Sequence, residues 1–496
     1  MLNGEPKSTI KRLTNYFWAA GITNPVDYIE QISYLFFLKM LEENDDVRAK
    51  VSRRSGTPYN TVFDGENAKY RWSEWHHKTG PELLKFVRDE VFDFMRKLGP
   101  INPLGGSLFK DAALMIQDPV VLQNAIGIIN DEIKFREMDT DVKGDLYEYL
   151  LSEVKTAGKN GQFLTPRHII RFIVNMVDPR IGETIYDPAC GTGGFLVMAY
   201  EHIKTKSSSP ELLRRENGSI RGPGDKLKDS QWEFLQTRAL NGNDNDVRMI
   251  RFAIMNLLLH SLEKSKVWYK DSLVKGFESS DTKYDVILSN PPFAGSIDIP
   301  RIKDSLPVIS TKTEILFLGY MIKSLNDGGR CGVVVPEGLL FGTTSSHMAI
   351  RKMLLEKCSL EAVVSLPSGC FKPYAGVKTS VLVFRKGDQT EKVWFYEVKA
   401  DGYSLDDKRN PTEQNDIPDL IEQWKKFKNG NWETTEKSWS ASIEDIKKND
   451  YNISASRYKS SKIEKIEYED PKKLIEEVLG LEEEIVEDLS GLRGLL

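Results

Sequence analysis

Asn290-Pro291-Pro292-Phe293 sets an amide side chain, a proline carbonyl and an aromatic ring next to one another. An amino group on an aromatic ring needs two acceptors for its N–H bonds and a face to stack on, and these residues offer both. The apolar run Tyr284 to Ser289 ahead of them reads as a buried strand. Two prolines in succession can neither continue a ladder nor sit inside a helix, so the chain must turn there. At the carboxyl end of a parallel strand, such a turn opens into the crevice where α/β sheets hold their ligands.

A second constellation comes earlier. Thr184-Ile185-Tyr186, expected as a strand, runs into Asp187-Pro188-Ala189-Cys190-Gly191-Thr192-Gly193-Gly194 and then the apolar Phe195-Leu196-Val197. An acid, a glycine turn and an apolar helix form the strand–loop–helix arrangement that lets backbone approach a nucleoside closely. The glycines lack GxGxxG spacing and no Lys-Ser/Thr pair follows them, so a cofactor without a phosphate chain fits better than NAD or ATP. Asp244 follows the next short extended segment, where an acid takes ribose hydroxyls; it lies beyond the usual ~20 residues because Lys204 to Ser230 form a polar insertion. Asp271 ends a third such segment and either holds a cofactor's adenine amino group or caps a turn. Ahead of all these, Gln162-Phe163-Leu164-Thr165-Pro166-Arg167 precedes an apolar helix, with Thr165 expected as its N-cap and Pro166 at its first position. The positive end of a helix suits a carboxylate, although taken alone this is an ordinary helix start.

The elements that must position these residues alternate. Strands are expected at Thr184–Tyr186, Tyr284–Ser289, Cys331–Pro336, Ala362–Pro367 and Thr379–Phe384, with helices between them, such as Val247–Leu262 and one from Ile315 stopped by Asp327-Gly328-Gly329. This is an α/β pattern: one doubly wound, mostly parallel sheet. Residues 1–155 read as a helical domain, 156–400 as the sheet domain, and 401–496 as an extension. That extension ends in an acidic amphipathic helix with Leu474, Val478, Leu481, Ile485 and Leu492 on one seam. Trp72, Trp75 and the pair His76-His77 read as loop, and no third metal ligand stands near them. The cations of the insertion, among them Lys204 and Arg221, either face nucleic acid or are simply solvated.

Composition bounds the rest. The 496 residues are too many for one core, and 40% hydrophobic with 28% charged residues is the balance of a globular protein. No run approaches the ~18 apolar residues of a membrane span, and the four cysteines include no CxxC pair, so a cytoplasmic protein with reduced thiols and no metal is expected. A formal net charge of −5 argues against a chain that grips DNA mainly by itself.

The segments YIEQISYLFFLKML, GDLYEYLL, GQFLTPRHI, YDPACGTGGFL, the NPPF turn, GGRCGVVVPEGLLF and YAGVKTSVLVFRKG together resemble the modification subunit of type I restriction–modification systems. These are γ-class N6-adenine DNA methyltransferases, and the resemblance runs from about Leu13 to Gly387. It implies a Rossmann-like methyltransferase sheet, S-adenosylmethionine as methyl donor and adenine N6 in duplex DNA as acceptor. It further implies that Gln162, Phe163, Leu164, Thr165, Pro166 and Arg167 line the donor's methionine end. Asp187 and Gly191, Thr192, Gly193 and Gly194 would then lie against the donor, Asp244 on its ribose and Asp271 near its adenine, while Asn290, Pro291, Pro292 and Phe293 hold the flipped base. A specificity subunit, a second copy of the modification subunit and a motor-nuclease subunit are the implied partners. The competing readings are a methyltransferase acting on a protein glutamine or on RNA, a catalytically idle scaffold subunit, and a self-sufficient enzyme with its own target recognition after residue 390.

Overall fold

The structure, a computed structural model, describes residues 5–98, 107–154, 164–216, 219–275, 282–293, 295–373 and 376–459, together with 475, 479–482 and 485. Among these, no helix is long and apolar enough to cross a membrane.

The centre is a nine-stranded sheet. Its strands are β1 (Ile185–Asp187), β2 (Leu240–Asp244), β3 (Lys266–Tyr269), β4 (Tyr284–Ser289), β5 (Leu325–Pro336), β6 (Cys358–Ser365), β7 (Thr379–Lys386), β8 (Lys392–Glu397) and β9 (Ser438–Ser442), in the order β9-β8-β6-β7-β5-β4-β1-β2-β3. β3, β2, β1, β4 and β5 are mutually parallel, as are β6 and β8. β7 runs against both of its neighbours, and β9 is antiparallel to β8. The expected doubly wound, mostly parallel sheet is therefore present. Val286, Ile287 and Leu288 in β4 are fully buried, as a strand covered by helices on both faces requires. The chain lays down β1, β2 and β3 toward one edge, then returns to place β4 and β5 on the other side of β1. The switch point falls between β1 and β4, which pair Ile185 with Val286 and Tyr186 with Ile287.

Two expectations about boundaries change. Asp327-Gly328-Gly329 does not stop a helix. The helix ends at Ser324, and these residues lie inside β5, where the pairing register with β4 shifts. Gly328 takes φ +80° there, which an L side chain rarely adopts. The sheet also does not end near residue 400, because β9 adds to it and the helix Ile417–Lys428 packs beside it. Trp424 of that helix donates from Nε1 to the Met176 carbonyl at 3.2 Å.

The described residues before the sheet are mostly helical, as expected. α1 (Pro25–Ser55) is capped by Asn24, whose side chain accepts from the Val26 amide, and it ends on Gly56 at φ +71°. α2 (Thr140–Ser152) is capped by Asp139. The core of these helices includes Met249, Phe252, Met255 and Leu259 from α5 (Val247–Leu259), so the helical region shares its interior with one face of a sheet helix. Trp72 and Trp75, expected in a loop, form a short helix and are buried.

Two cations of the insertion are engaged within the protein. Lys204 is buried and bonds Asp141, while Arg221 makes two bonds to Asp145, at 2.6 and 3.1 Å. The acids sit on α2, so these two cations pin the helical region to the sheet domain. Residues 459–496 form a separate unit. In it Leu481 and Ile485 are helical and exposed, whereas Leu474, Val478 and Leu492 of the expected seam lie outside the described residues.

Candidate active site

β4 carries its buried run to Ser289, and the proline pair then turns the chain at the carboxyl edge of the sheet. Pro291 is buried and Phe293 half-buried, its ring edge-on to Phe371 with centroids 5.9 Å apart. The Asn290 amide donates from Nδ2 to Thr165 Oγ1 at 2.8 Å. Its Oδ1 is buried and accepts no hydrogen bond among the described residues. That bond fixes the amide with its acceptor end unused.

It also explains why Thr165 is not a helix cap. α3 (Arg167–Val177) starts one residue later than expected, with Pro166 at the N-cap and no side-chain cap bond. The Thr165 hydroxyl that would have capped it is engaged by a residue from β4's corner. Leu164 to Arg167 remain beside the glycine turn, while Gln162 and Phe163 lie outside the described residues. His168, in the first turn of α3, bonds Asp401 at 2.9 Å. Asp401 also accepts from Arg409 and from the Cys370 thiol, which precedes Phe371 in the chain.

The first corner lies on the neighbouring strand. Asp187 ends β1, is 1% exposed, and accepts from Ser289 Oγ at 2.6 Å and from the Ala189 amide at 3.1 Å. Burial pushes its carboxyl up to about 7, against the pull of those two donors. Gly191 and Gly193 take φ +51° and +76°, and α4 (Gly194–Lys206) follows them. A side chain at Gly191 would meet only open space, so that backbone is open to close approach. Asp244, at the end of β2, accepts the Gly191 amide at 2.9 Å, and burial raises its carboxyl too. The Thr192 carbonyl accepts from Asn256 of α5. Cys190 is buried, and burial raises its thiol, so it shows no sign of nucleophilic character. Asp271, just after β3, caps a turn by accepting from the Leu273 and Val274 amides, and it also lines the cavity below.

Two adjoining cavities follow from this arrangement. The larger, about 420 Å³, has Asp244 and Asp271 on one wall and Asn290 through Phe293 on the other. The smaller, about 100 Å³, is bounded by Thr165, Arg167, Thr192, Gly194 and Glu148 of α2. Leu164, Ala189, Gly191 and Asn290 line both. Two buried carboxyls favour a ligand bearing hydroxyls or positive charge, and the open backbone at Gly191 suits a flat nucleoside more than a phosphate chain. The glycine turn, the two acids and the proline corner thus stand together on one edge of the sheet. Sequence reasoning passed over Glu148 and Ser289; the only signal for Glu148 was its place in GDLYEYLL.

Comparison with known proteins finds a match of residues 138–467 to the family model of the N-6 DNA methylase, and of residues 7–129 to that of the HsdM N-terminal domain. The chain is 31% identical to the type I restriction enzyme EcoEI methylase subunit of Escherichia coli, over 96% of this chain and 94% of that one. It is 27% identical to the EcoKI methylase subunit of Escherichia coli strain K12, over 87% of this chain and 80% of that one. A solved chain from a type I restriction–modification system superposes with a TM-score of 0.72 at 31% identity, covering 98% of each chain.

Proposed function

Since the chain belongs to the N-6 DNA methylase family as a type I restriction–modification methylase subunit, we propose that it transfers a methyl group from S-adenosylmethionine to N6 of an adenine flipped out of duplex DNA. The observation that carries this reading is the buried Oδ1 of Asn290, which accepts no hydrogen bond among the described residues and lies on the same sheet edge as the glycine turn.

S-adenosylmethionine would supply an electrophilic methyl group on a sulfonium. Gln162 through Arg167, Gly191 through Gly194, Asp187, Asp244 and Asp271 are the residues proposed to hold it. Phe293 stacks on the flipped base. Asn290 Oδ1 and the Pro291 carbonyl accept the two N6 hydrogens and turn the nitrogen lone pair out of the ring plane. As positive charge develops on nitrogen these acceptors strengthen, so they favour the transition state over the bound base. Thr165 keeps the Asn290 amide in this orientation, and Pro292 prevents the corner from relaxing into strand.

The proposal extends to the complex. A chain of net charge −5 is expected to rely on a specificity subunit for target reading and DNA grip, in the cytoplasm, beside a second copy of itself and a motor-nuclease subunit. Residues 1–155 would close on the DNA, and the terminal helix would dock on the specificity subunit. Asn290→Ala should lower single-turnover methylation in the complex at least ~10²-fold while leaving donor affinity nearly unchanged. Turnover like that of the wild type would refute the role.

A further inference from the structure

The corner at Asn290 continues into a loop, residues 295–312, that is tied to both walls of the larger cavity. Ser296, Ile297 and Arg301 line that cavity. At the stem the Ile297 amide donates to the Thr311 carbonyl at 2.9 Å, Ser296 pairs antiparallel with Lys312, and the Thr313 amide donates to the Gly295 carbonyl at 3.1 Å. On the far wall, just past Asp271, the Lys303 amide donates to the Leu273 carbonyl and the Lys275 amide to the Arg301 carbonyl, each at 2.9 Å. Ile302, Leu306 and Val308 are buried beneath the loop. Pro307 packs so tightly on the helix Thr313–Ser324 that a Cβ at Gly319 would stand 3.2 Å from its Cγ. Ile309 faces outward. Between buried Val308 and Ser310 it is 71% exposed, the highest value of any large apolar side chain among the described residues. Two residues separate it from Thr311, so its backbone lies within ~7 Å of the stem that frames the cavity mouth. Isoleucine held in water on a firmly anchored loop forgoes the burial its neighbours obtain, and its β-branched side chain has little freedom to lose on entering a partner.

We propose that Ile309 is a wedge for duplex DNA: it enters the base stack where the target adenine leaves and keeps that gap filled while the base occupies the proline corner. The inference rests on the reading of that corner as the seat of a flipped adenine. Flipping costs unstacking and unpairing, and an apolar side chain laid against the uncovered base pairs offsets part of that cost. Arg301 and Lys312, exposed on the same loop, supply positive charge for the flanking phosphates. Because the loop is anchored at its stem and at its middle, the wedge stays at a fixed distance from the pocket, and insertion and capture of the base belong to one docking event.

The test uses the full chain assembled with its specificity subunit, on the duplex which that complex methylates and on the same duplex with the base opposite the target adenine removed. Ile309→Gly should slow single-turnover methylation of the intact duplex at least about tenfold and leave the abasic one within about twofold of the wild type, because an unpaired target needs no wedge. With 2-aminopurine at the target position, that variant should lose most of the fluorescence rise on binding, on the intact duplex alone. Ile309→Leu should keep both signals. Equal losses on the two duplexes would mean that the residue supports the site or the assembly and not the opened DNA. Undiminished rates on both would leave it outside the duplex. Either result overturns the inference while the reading of the corner survives, and a wild-type complex that methylates neither duplex overturns both. Should glycine loosen the loop, Ile309→Ser removes the apolar surface without that added freedom and puts the same question.

Discussion

A carboxyl raised to about 7 by burial, as that of Asp187 is, changes charge around neutral pH. Protonated, it is neutral beside the donor site; ionised, it favours a sulfonium over a neutral thioether. S-adenosylmethionine affinity should therefore rise between pH 6 and 8, S-adenosylhomocysteine affinity should stay flatter, and Asp187→Asn should remove the difference, all readable by titration at fixed ionic strength. The effect on stability has a definite sign. The folded carboxyl holds its proton where the unfolded one, with a pKa of ~3.9, has lost it, so this group's contribution is full below about pH 4 and is lost as pH rises toward 7. The residue scale is also where the sequence is most legible. Proline and glycine act on their own backbone, so the corner at Asn290 and the turn at Gly191 could be placed without knowing any partner. Thr165 could not, because the group that claims its hydroxyl arrives 125 residues later.

At the scale of elements, α2 lies so close to α5 that Gly144 faces His260 without room for a methyl group. A Cβ there would stand 2.2 Å from the imidazole Nε2. Gly144→Ala should cost ~1–3 kcal/mol in denaturant unfolding, since a fully buried ring has nowhere to move. Gly127, also inside a helix, meets nothing within 4 Å. The same substitution there should stabilise by up to ~1 kcal/mol through helix propensity. The opposite signs separate packing from propensity. This interface explains what the sequence hides: strands announce themselves by apolar runs, whereas Glu148 is one acid on a helix whose other acids pair with Lys204 and Arg221. Those two cations read as either solvated or facing nucleic acid, because their partners lie more than sixty residues away along the chain.

For the whole molecule, the boundary that matters lies near residue 458, where the first compact unit ends, and not near 400. A chain ended after Tyr458 should keep its melting temperature within about 2 °C and its donor affinity. One ended after Ala400 loses β9, Trp424 and Asp401 and should aggregate. Scanning fluorimetry and light scattering distinguish the two. Separate folding of the 1–400 piece would contradict the contacts of Trp424 and β9.

Asp401 has one more consequence, for the order of synthesis. It lies 233 residues after His168, the first-turn residue that it holds. At ~5–20 residues per second the ribosome needs tens of seconds to cross that interval. Over that interval the first turn of α3 waits for the acid that holds it, while the glycine turn emerges early and the proline corner about midway. A nascent polypeptide therefore carries both corners well before the contact that holds the first turn of α3 can form.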